Sequence, residues 1–113
     1  MKIVKLPENG TNFIDYEVDG NTISFDDGEV MLNLKKKERD YDVMIDLCRD
    51  WMQGLVMGAD DAKSYVAQIF IPARQYKYVE SKTEKNENGD PVIEQKAVPF
   101  NMDNCTLTLW EED

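Results

Sequence analysis

The stretch Tyr41-Asp42-Val43-Met44-Ile45-Asp46-Leu47-Cys48-Arg49-Asp50-Trp51-Met52-Gln53-Gly54-Leu55-Val56-Met57 decides how the chain is read, because it is the only long segment with a helical period. At about 100° per residue, Val43, Met44, Leu47, Cys48, Trp51, Met52 and Leu55 cover roughly half the circumference. Ile45 and Val56 widen one edge of that arc, and Asp42, Asp46, Arg49, Asp50 and Gln53 fill the remainder. Asp40 is a good N-cap, and Asp42 suits the positive end of the helix dipole. Gly58 is a natural stop, with Gly54 one turn earlier as the alternative. The spacing predicts one amphipathic helix that must lie on something broad.

The broad surface is expected just upstream. Asp19-Gly20 and Asp27-Gly28 each stand between strand-like runs, the strongest short hairpin signal. A turn at Asp19-Gly20 sets Tyr16 opposite Ile23 and Ile14 opposite Phe25; one at Asp27-Gly28 sets Phe25 opposite Val30 and Ile23 opposite Leu32. Both registers put Ile14, Tyr16, Val18, Ile23, Phe25, Val30, Leu32 and Leu34 on one face, and Asp15, Glu17, Thr22, Ser24, Asp26, Glu29 and Asn33 on the other. Since side chains alternate with period two, a one-residue slip would turn the apolar set to water. Phe13 and Met31 fall on the wet face.

Outward from this centre, Met1 to Leu6 reads as a lysine-bearing edge strand closed by Pro7-Glu8-Asn9-Gly10. Lys35-Lys36-Lys37-Glu38-Arg39 is a basic link from meander to helix, and residues 59–63 are a short acidic connection. Ser64 to Val79 is rich in β-branched and aromatic residues and reads as a strand bent at Pro72. Residues 81–96 are mostly Lys, Glu, Asn, Thr and Gln around Asn88-Gly89. They read as a polar hairpin arm, with Val79 facing Val98 and Lys82 facing Gln95. Pro99 forces a bend, and Cys105, Leu107 and Leu109 then alternate with Thr106, Thr108 and Trp110 in a half-buried final strand ahead of a frayed acidic end, Glu111-Glu112-Asp113.

The fold class expected is α+β: an antiparallel sheet, made of an N-terminal meander, a C-terminal long hairpin and a final strand, packed against one amphipathic helix. At 113 residues the chain fits a single domain, 1–113, with the arm projecting at about 81–96. No apolar run approaches the ~20 residues of a membrane span, and residues 1–7 lack a signal peptide's apolar core, so the compartment expected is the cytoplasm. Cys48 and Cys105 read as small buried hydrophobes in a reducing compartment.

Net charge is −10, with 7 basic and 12 acidic residues in 1–57 and 6 and 11 in 58–113, so each half carries −5. Spread acidity opposes direct binding to nucleic acid and to anionic membranes, and favours solubility or a basic protein partner. The chain has no histidine, which removes Ser-His-Asp and Cys-His nucleophiles and histidine metal ligands together. Asp15 to Asp26 echoes a calcium loop, but Thr22 stands where an apolar residue is expected, the twelfth position is not glutamate, and no helices flank it. Asp26-Asp27, Asp60-Asp61 and Glu111-Glu112-Asp113 read as solvated turn and terminal residues, and the glycines are scattered singly without a phosphate cradle.

No cofactor, metal or catalytic group is therefore expected. Arg74, Tyr76 and Tyr78, with Phe100 and Trp110 nearby in the expected sheet, make the best interaction patch, since Tyr, Trp and Arg anchor interfaces. The expected function is a non-enzymatic protein-interaction or structural module, a profile shared by small virion and prophage accessory proteins. The alternative is an acidic mimic of nucleic acid that occupies a basic groove, with Asp15, Glu17, Asp26 and Glu29 in rows. A carboxylate-based metal enzyme is a third reading. A sheet edge could also pair two copies.

Overall fold

A computed structural model of the chain describes residues 1–50, 54–58 and 64–112. The stretch expected to be helical is a strand pair. β1 is Lys2–Leu6, β2 Tyr16–Asp19, β3 Thr22–Phe25 and β4 Val30–Asn33. A single helical turn, α1 (Leu34–Lys37), then leads into β5 (Val43–Asp50) and β6 (Gly54–Met57). β7 is Tyr65–Ile71, β8 Tyr76–Lys85, β9 Pro91–Ala97 and β10 Thr106–Trp110. Among the described residues the fold is thus mostly sheet, with antiparallel pairing dominant, one short α-helix and a 3-10 turn at Met102–Asn104.

The physical reason lies in a second period hidden in the same residues. Val43, Ile45 and Leu47 also alternate with Met44, Asp46 and Cys48, and three of these six are apolar on the odd side. β7 needs a partner on the side away from β10, and β5 supplies it in register, Val43 beside Ile71 through Leu47 beside Ala67. A bulge follows between Leu47 and Cys48. The part of the helical reading that rests on Trp51, Met52 and Gln53 lies outside the described residues, as do the connection 59–63, the Asp60-Asp61 pair and Asp113. Gly54 does not end a helix. It opens β6 with φ +79°, a conformation that strains any side chain, while the Glu29 carboxylate that a Cβ would meet at 2.7 Å is the end of a flexible chain and can move aside.

Asp40 and Asp42, expected to cap the helix, bind the corner after β7 instead: Asp42 Oδ1 accepts from the Ala73 N–H at 2.8 Å, and Arg74 donates to Asp40 at 2.9 Å. The basic cluster is α1 itself and its exit, with Asn33 Oδ1 capping the Lys36 N–H at 3.2 Å.

Two sheets face one another. The five-stranded sheet runs β1-β10-β7-β5-β6, with β1 parallel to β10 and the other neighbours antiparallel. The three-stranded sheet is the expected meander β2-β3-β4. Ile14, Ile23, Phe25, Leu32 and Leu34 from the meander side share one core with Leu47, Leu55, Ala67, Ile69, Ile71, Leu107 and Leu109. A sheet, not a helix, covers the dry face.

The second meander register is as expected, Phe25 beside Val30 and Ile23 beside Leu32. The first differs: Val18 pairs with Ile23 and Tyr16 with Phe25, because the turn residues are Gly20-Asn21. Gly20 carries φ +60°, the pattern of a turn with glycine first rather than second. The slip is two residues, so every side chain keeps its face. Tyr16 and Val18 are nonetheless exposed, out beyond the core. On the other face Met31 is exposed, while Phe13 packs against the core's edge under Lys5, whose Nζ is 5.3 Å from the ring centre.

β1 lies at the sheet edge as expected, and β7 ends at Pro72. The acidic end is not frayed at Glu111 and Glu112. The Thr11 N–H donates to Glu111 Oε2 at 2.7 Å, and Glu112 is held by Arg49. Arg49 reaches Asp26 Oδ2 as well, at 3.1 Å, so it joins the β3–β4 turn to the C-terminal segment across β5. No helix among the described residues is long and apolar enough to cross a membrane.

The pair β8-β9 forms its own two-stranded ribbon. It gives the molecule its length, 66 Å against 27 and 22 Å in the other directions.

Candidate functional site

The ribbon begins at a corner built by residues 38–42 and 72–76. Pro72 cannot continue the β7 ladder, and the freed backbone is taken up nearby: the Arg74 N–H donates to the Arg39 carbonyl at 2.7 Å. The Arg74 guanidinium donates to Glu38 Oε1 at 3.3 Å and to the Glu38 carbonyl at 3.2 Å, besides Asp40. The Tyr76 hydroxyl donates to the same Asp40 oxygen. Arg74 is held in its charged form above its usual range, by the Tyr76 side chain first, with Asp40 and Glu38 adding to it against an opposing cost of desolvation. This guanidinium is engaged within the chain. It ties the segment that leads into β8 to residues 38–40.

Beneath the corner, Pro72, Ala73, Gln75, Val98, Pro99 and Phe100 line a cleft of about 20 Å³, room for one water and no organic ligand. Phe100 is half-buried and rests against the core. Trp110 lies elsewhere. Thr106 pairs with Phe70 near the corner, and Trp110 is four residues further along β10, about 13 Å away at strand rise. Its ring meets Tyr65 at 5.9 Å between centres. Of the five expected patch residues, then, Arg74, Tyr76 and Tyr78 come together at the ribbon's root, Phe100 lies under it, and Trp110 is at the far end of the sheet.

Beyond the root the ribbon pairs Tyr76 with Ala97, Tyr78 with Gln95 and Glu80 with Ile93. The expected register, Val79 facing Val98, is displaced by four residues. Two local devices account for this. Residues 86–90 form a five-residue loop in which Asn86 Oδ1 accepts from the Asn88 and Asp90 N–H groups at 2.9 and 3.1 Å. Residues 81–84 bulge, with Ser81 Oγ accepting from the Thr83 and Glu84 N–H groups. Asn and Ser side chains here replace ladder bonds, as short polar side chains do in turns. The Asn88-Gly89 pair is in the loop, but two residues did not close it.

One ribbon face presents Tyr76, Tyr78, Ile93 and Gln95. Tyr78 is 72% exposed and Ile93 57%, the most open aromatic and one of the most open aliphatics among the described residues. Ile93 was not expected in the patch; its signal was to be one of two large apolar residues in a polar arm.

Charge is divided unevenly. Residues 76–97 hold 4 basic and 5 acidic groups, net −1, so the remainder of the chain carries −9. Of the four carboxylates suggested for rows on the wet meander face, Asp26 is paired with Arg49, Glu29 Oε1 accepts from the Leu55 N–H at 3.4 Å, and Asp15 and Glu17 are exposed. Asp15 to Asp26 is the β2-β3 hairpin, and among the described residues no three Cys, Asp or Glu side chains gather as metal ligands would. Cys48 and Cys105 are free and buried, and burial pushes both thiols above their ordinary range. Cys48 lies in a strand rather than a helix, its Sγ donating to the Gly58 carbonyl at 3.3 Å.

No protein-family model matches this chain, and neither curated proteins nor solved structures give a match.

Proposed function

We propose that this protein is a non-enzymatic interaction module that engages a protein partner through its ribbon. The observation that supports this reading is the exposed face of Tyr76, Tyr78 and Ile93 on a two-stranded extension that has no second layer among the described residues. An isolated two-stranded hairpin is marginal in water, and aromatic side chains exposed on one are better explained by a contact than by its own folding. The acidic base, at −9, leaves room for a basic partner or for solubility alone. A cytoplasmic setting goes with this reading, because Cys48 and Cys105 are free thiols that suit a reducing compartment. A role as a small virion or prophage accessory protein fits the same size and charge.

The experiment is affinity capture from the cells that make the protein, with the wild-type chain and a Tyr78→Ser/Ile93→Ser variant compared. A partner retained by the wild type and lost by the variant supports the ribbon as the contact. A partner held equally by both moves the contact to the base and overturns the reading.

A further inference from the structure

The free edge of β9 has a sequence suited to pairing with itself. Residues 91–99 read Pro-Val-Ile-Glu-Gln-Lys-Ala-Val-Pro. Around Gln95 this is a palindrome in chemical type: proline mirrors proline, Val92 mirrors Val98, Ile93 mirrors Ala97, and Glu94 mirrors Lys96 with opposite charge. A two-fold axis through an antiparallel strand pair sets each residue against its mirror position, so the chemistry of a self-complementary interface is written in these nine residues.

The backbone is oriented for it. The Val98 N–H donates to the Gln75 carbonyl, and antiparallel ladders alternate bonded and non-bonded pairs. Glu94 and Lys96 therefore bond inward to β8, while Ile93, Gln95 and Ala97 turn their N–H and C=O groups away. Among the described residues β9 pairs with β8 alone. Pro91 and Pro99, which lack the N–H, close the bonded stretch at both ends.

Charge favours the same occupant. Within its own ribbon Lys96 stands opposite Lys77, a like-charge pair. Its Nζ is 3.9 Å from Glu94 of the same strand. A second copy would bring its own Glu94 opposite Lys96, twice per interface. The ribbon is near neutral whereas the rest of the chain carries −9, and antiparallel pairing sends the two acidic bases to opposite ends.

We infer that two copies of this chain pair edge to edge through β9, about a two-fold axis at Gln95, into a four-stranded sheet. Tyr76, Tyr78 and Ile93 of both copies then share one face. The inference rests on the reading of the ribbon as a contact surface, and names a copy of the chain as its partner.

The test is sedimentation equilibrium of the full chain and of Glu94→Lys and Lys96→Glu variants, alone and mixed. The wild type is expected to dimerise reversibly. Each single variant sets like charges opposite at both positions and is expected to dimerise about tenfold more weakly. An equimolar mixture restores opposite charges at every position, and recovers wild-type association. Recovery on mixing also shows that both variants are folded. A wild type that stays monomeric to about 1 mM, the level of very weak association, overturns the inference, as do variants that dimerise like the wild type or a mixture that does not recover. Such a failure leaves the capture experiment standing on its own: a different protein lost with Tyr78→Ser/Ile93→Ser would keep the ribbon as an interaction surface while removing the second copy from it.

Discussion

The meander Tyr16–Asn33 and the ribbon Tyr76–Ala97 are both built from antiparallel strands joined by Gly-bearing turns, and they differ in what lies beneath them. β3 hides Ile23 and Phe25 completely, against Leu and Ile side chains of the five-stranded sheet. No residue of β8 or β9 is buried. Apolar burial is the main favourable term in folding, at about 25 cal/mol per Å², so the meander is held by a second layer and the ribbon by its ladder and its Asn86 and Ser81 side-chain bonds. The difference lies in what the side chains of each region meet. Meander side chains answer to the core. Among the described residues the ribbon side chains meet no core, and Tyr78 and Ile93, diagonal neighbours on one face, are apolar yet exposed.

The widest separation between the regions should come from amide exchange. Amides of Ile69 and Leu107, in central strands with fully buried side chains, should open only with global unfolding. With stabilities of about 5–15 kcal/mol usual for domains, that is at least a thousandfold slowing. In dilute protein the outward Gln95 amide should exchange near its free rate, and the inward Glu94 and Lys96 amides only modestly slower. Ribbon amides as slow as those of β7 would erase the distinction drawn here.

A matched pair of truncations sharpens it. Phe25→Ala removes a fully buried ring where the two sheets meet and should cost about 3–5 kcal/mol, read as a lower denaturant midpoint. Tyr78→Ala removes a ring that is 72% exposed and should stay within about 0.5 kcal/mol. A large loss from Tyr78→Ala would mean that the ribbon supports the base.

How legible these regions were follows from the same contrast. In the meander, period-two alternation put Ile14, Ile23, Phe25, Leu32 and Leu34 in the core and Val30 against it even though the first turn was misplaced, because a slip of two conserves facing, while Tyr16 and Val18 are exposed and Leu34 sits in α1. Edge strand, Pro72 corner and final strand were also readable, each from local rules. Residues 41–57 were not. Val43 to Leu47 satisfies both the helical and the strand period, and the choice is made by a neighbour, β7, that lies in no local window. The covering layer was thus mistaken, while the face it covers was right. In the ribbon nothing buried pins the register, so the tip loop and the Ser81 bulge decide it, and Val79 pairs with Glu94 rather than Val98. Of the candidate ribbon face, Tyr76 and Tyr78 were named from sequence and Ile93 was not, while Arg74 beside them is engaged by Glu38 and Asp40. Trp110 was drawn in because sequence cannot say which end of a sheet a strand terminus occupies.

Arg49 tests whether the base is held by charge as well as by its core. It bridges Asp26 and Glu112, with a third of its own side chain exposed at 35%. Its guanidinium is kept charged beyond its usual range, by Glu112 first and Asp26 after it, against some desolvation. Exposed pairs contribute about 0–1 kcal/mol, and a shared, half-covered pair belongs at the upper end. Arg49→Met should therefore lower stability by about 1 kcal/mol, and the gap between variant and wild type should narrow in high salt. A gap unchanged by salt would assign the loss to packing of the Arg49 stem.

The smallest effect expected concerns pH, and it too should be confined to the base. Burial raises both thiols above the ordinary value of 9.0, with Asp46 adding to the rise at Cys48, and Glu38 adding to it at Cys105 while the N-terminal amine works against it. In the unfolded chain each thiol ionises near its ordinary value, whereas in the folded chain it keeps its proton. Below that value both states hold the proton and the contribution is fully present. As pH rises past it the unfolded state loses protons first, so stability declines until the folded thiols ionise as well. Melting temperature should fall as pH is raised through this window, and fall less in a Cys48→Ala/Cys105→Ala variant, the comparison that subtracts lysine and tyrosine titration. Thiol-labelling of the native chain follows the same logic, since a neutral buried thiol is a poor nucleophile. Labelling should require opening of the base and proceed at the same rate in the Tyr78→Ser/Ile93→Ser variant, because the ribbon neither covers the two cysteines nor holds shut the layers that do.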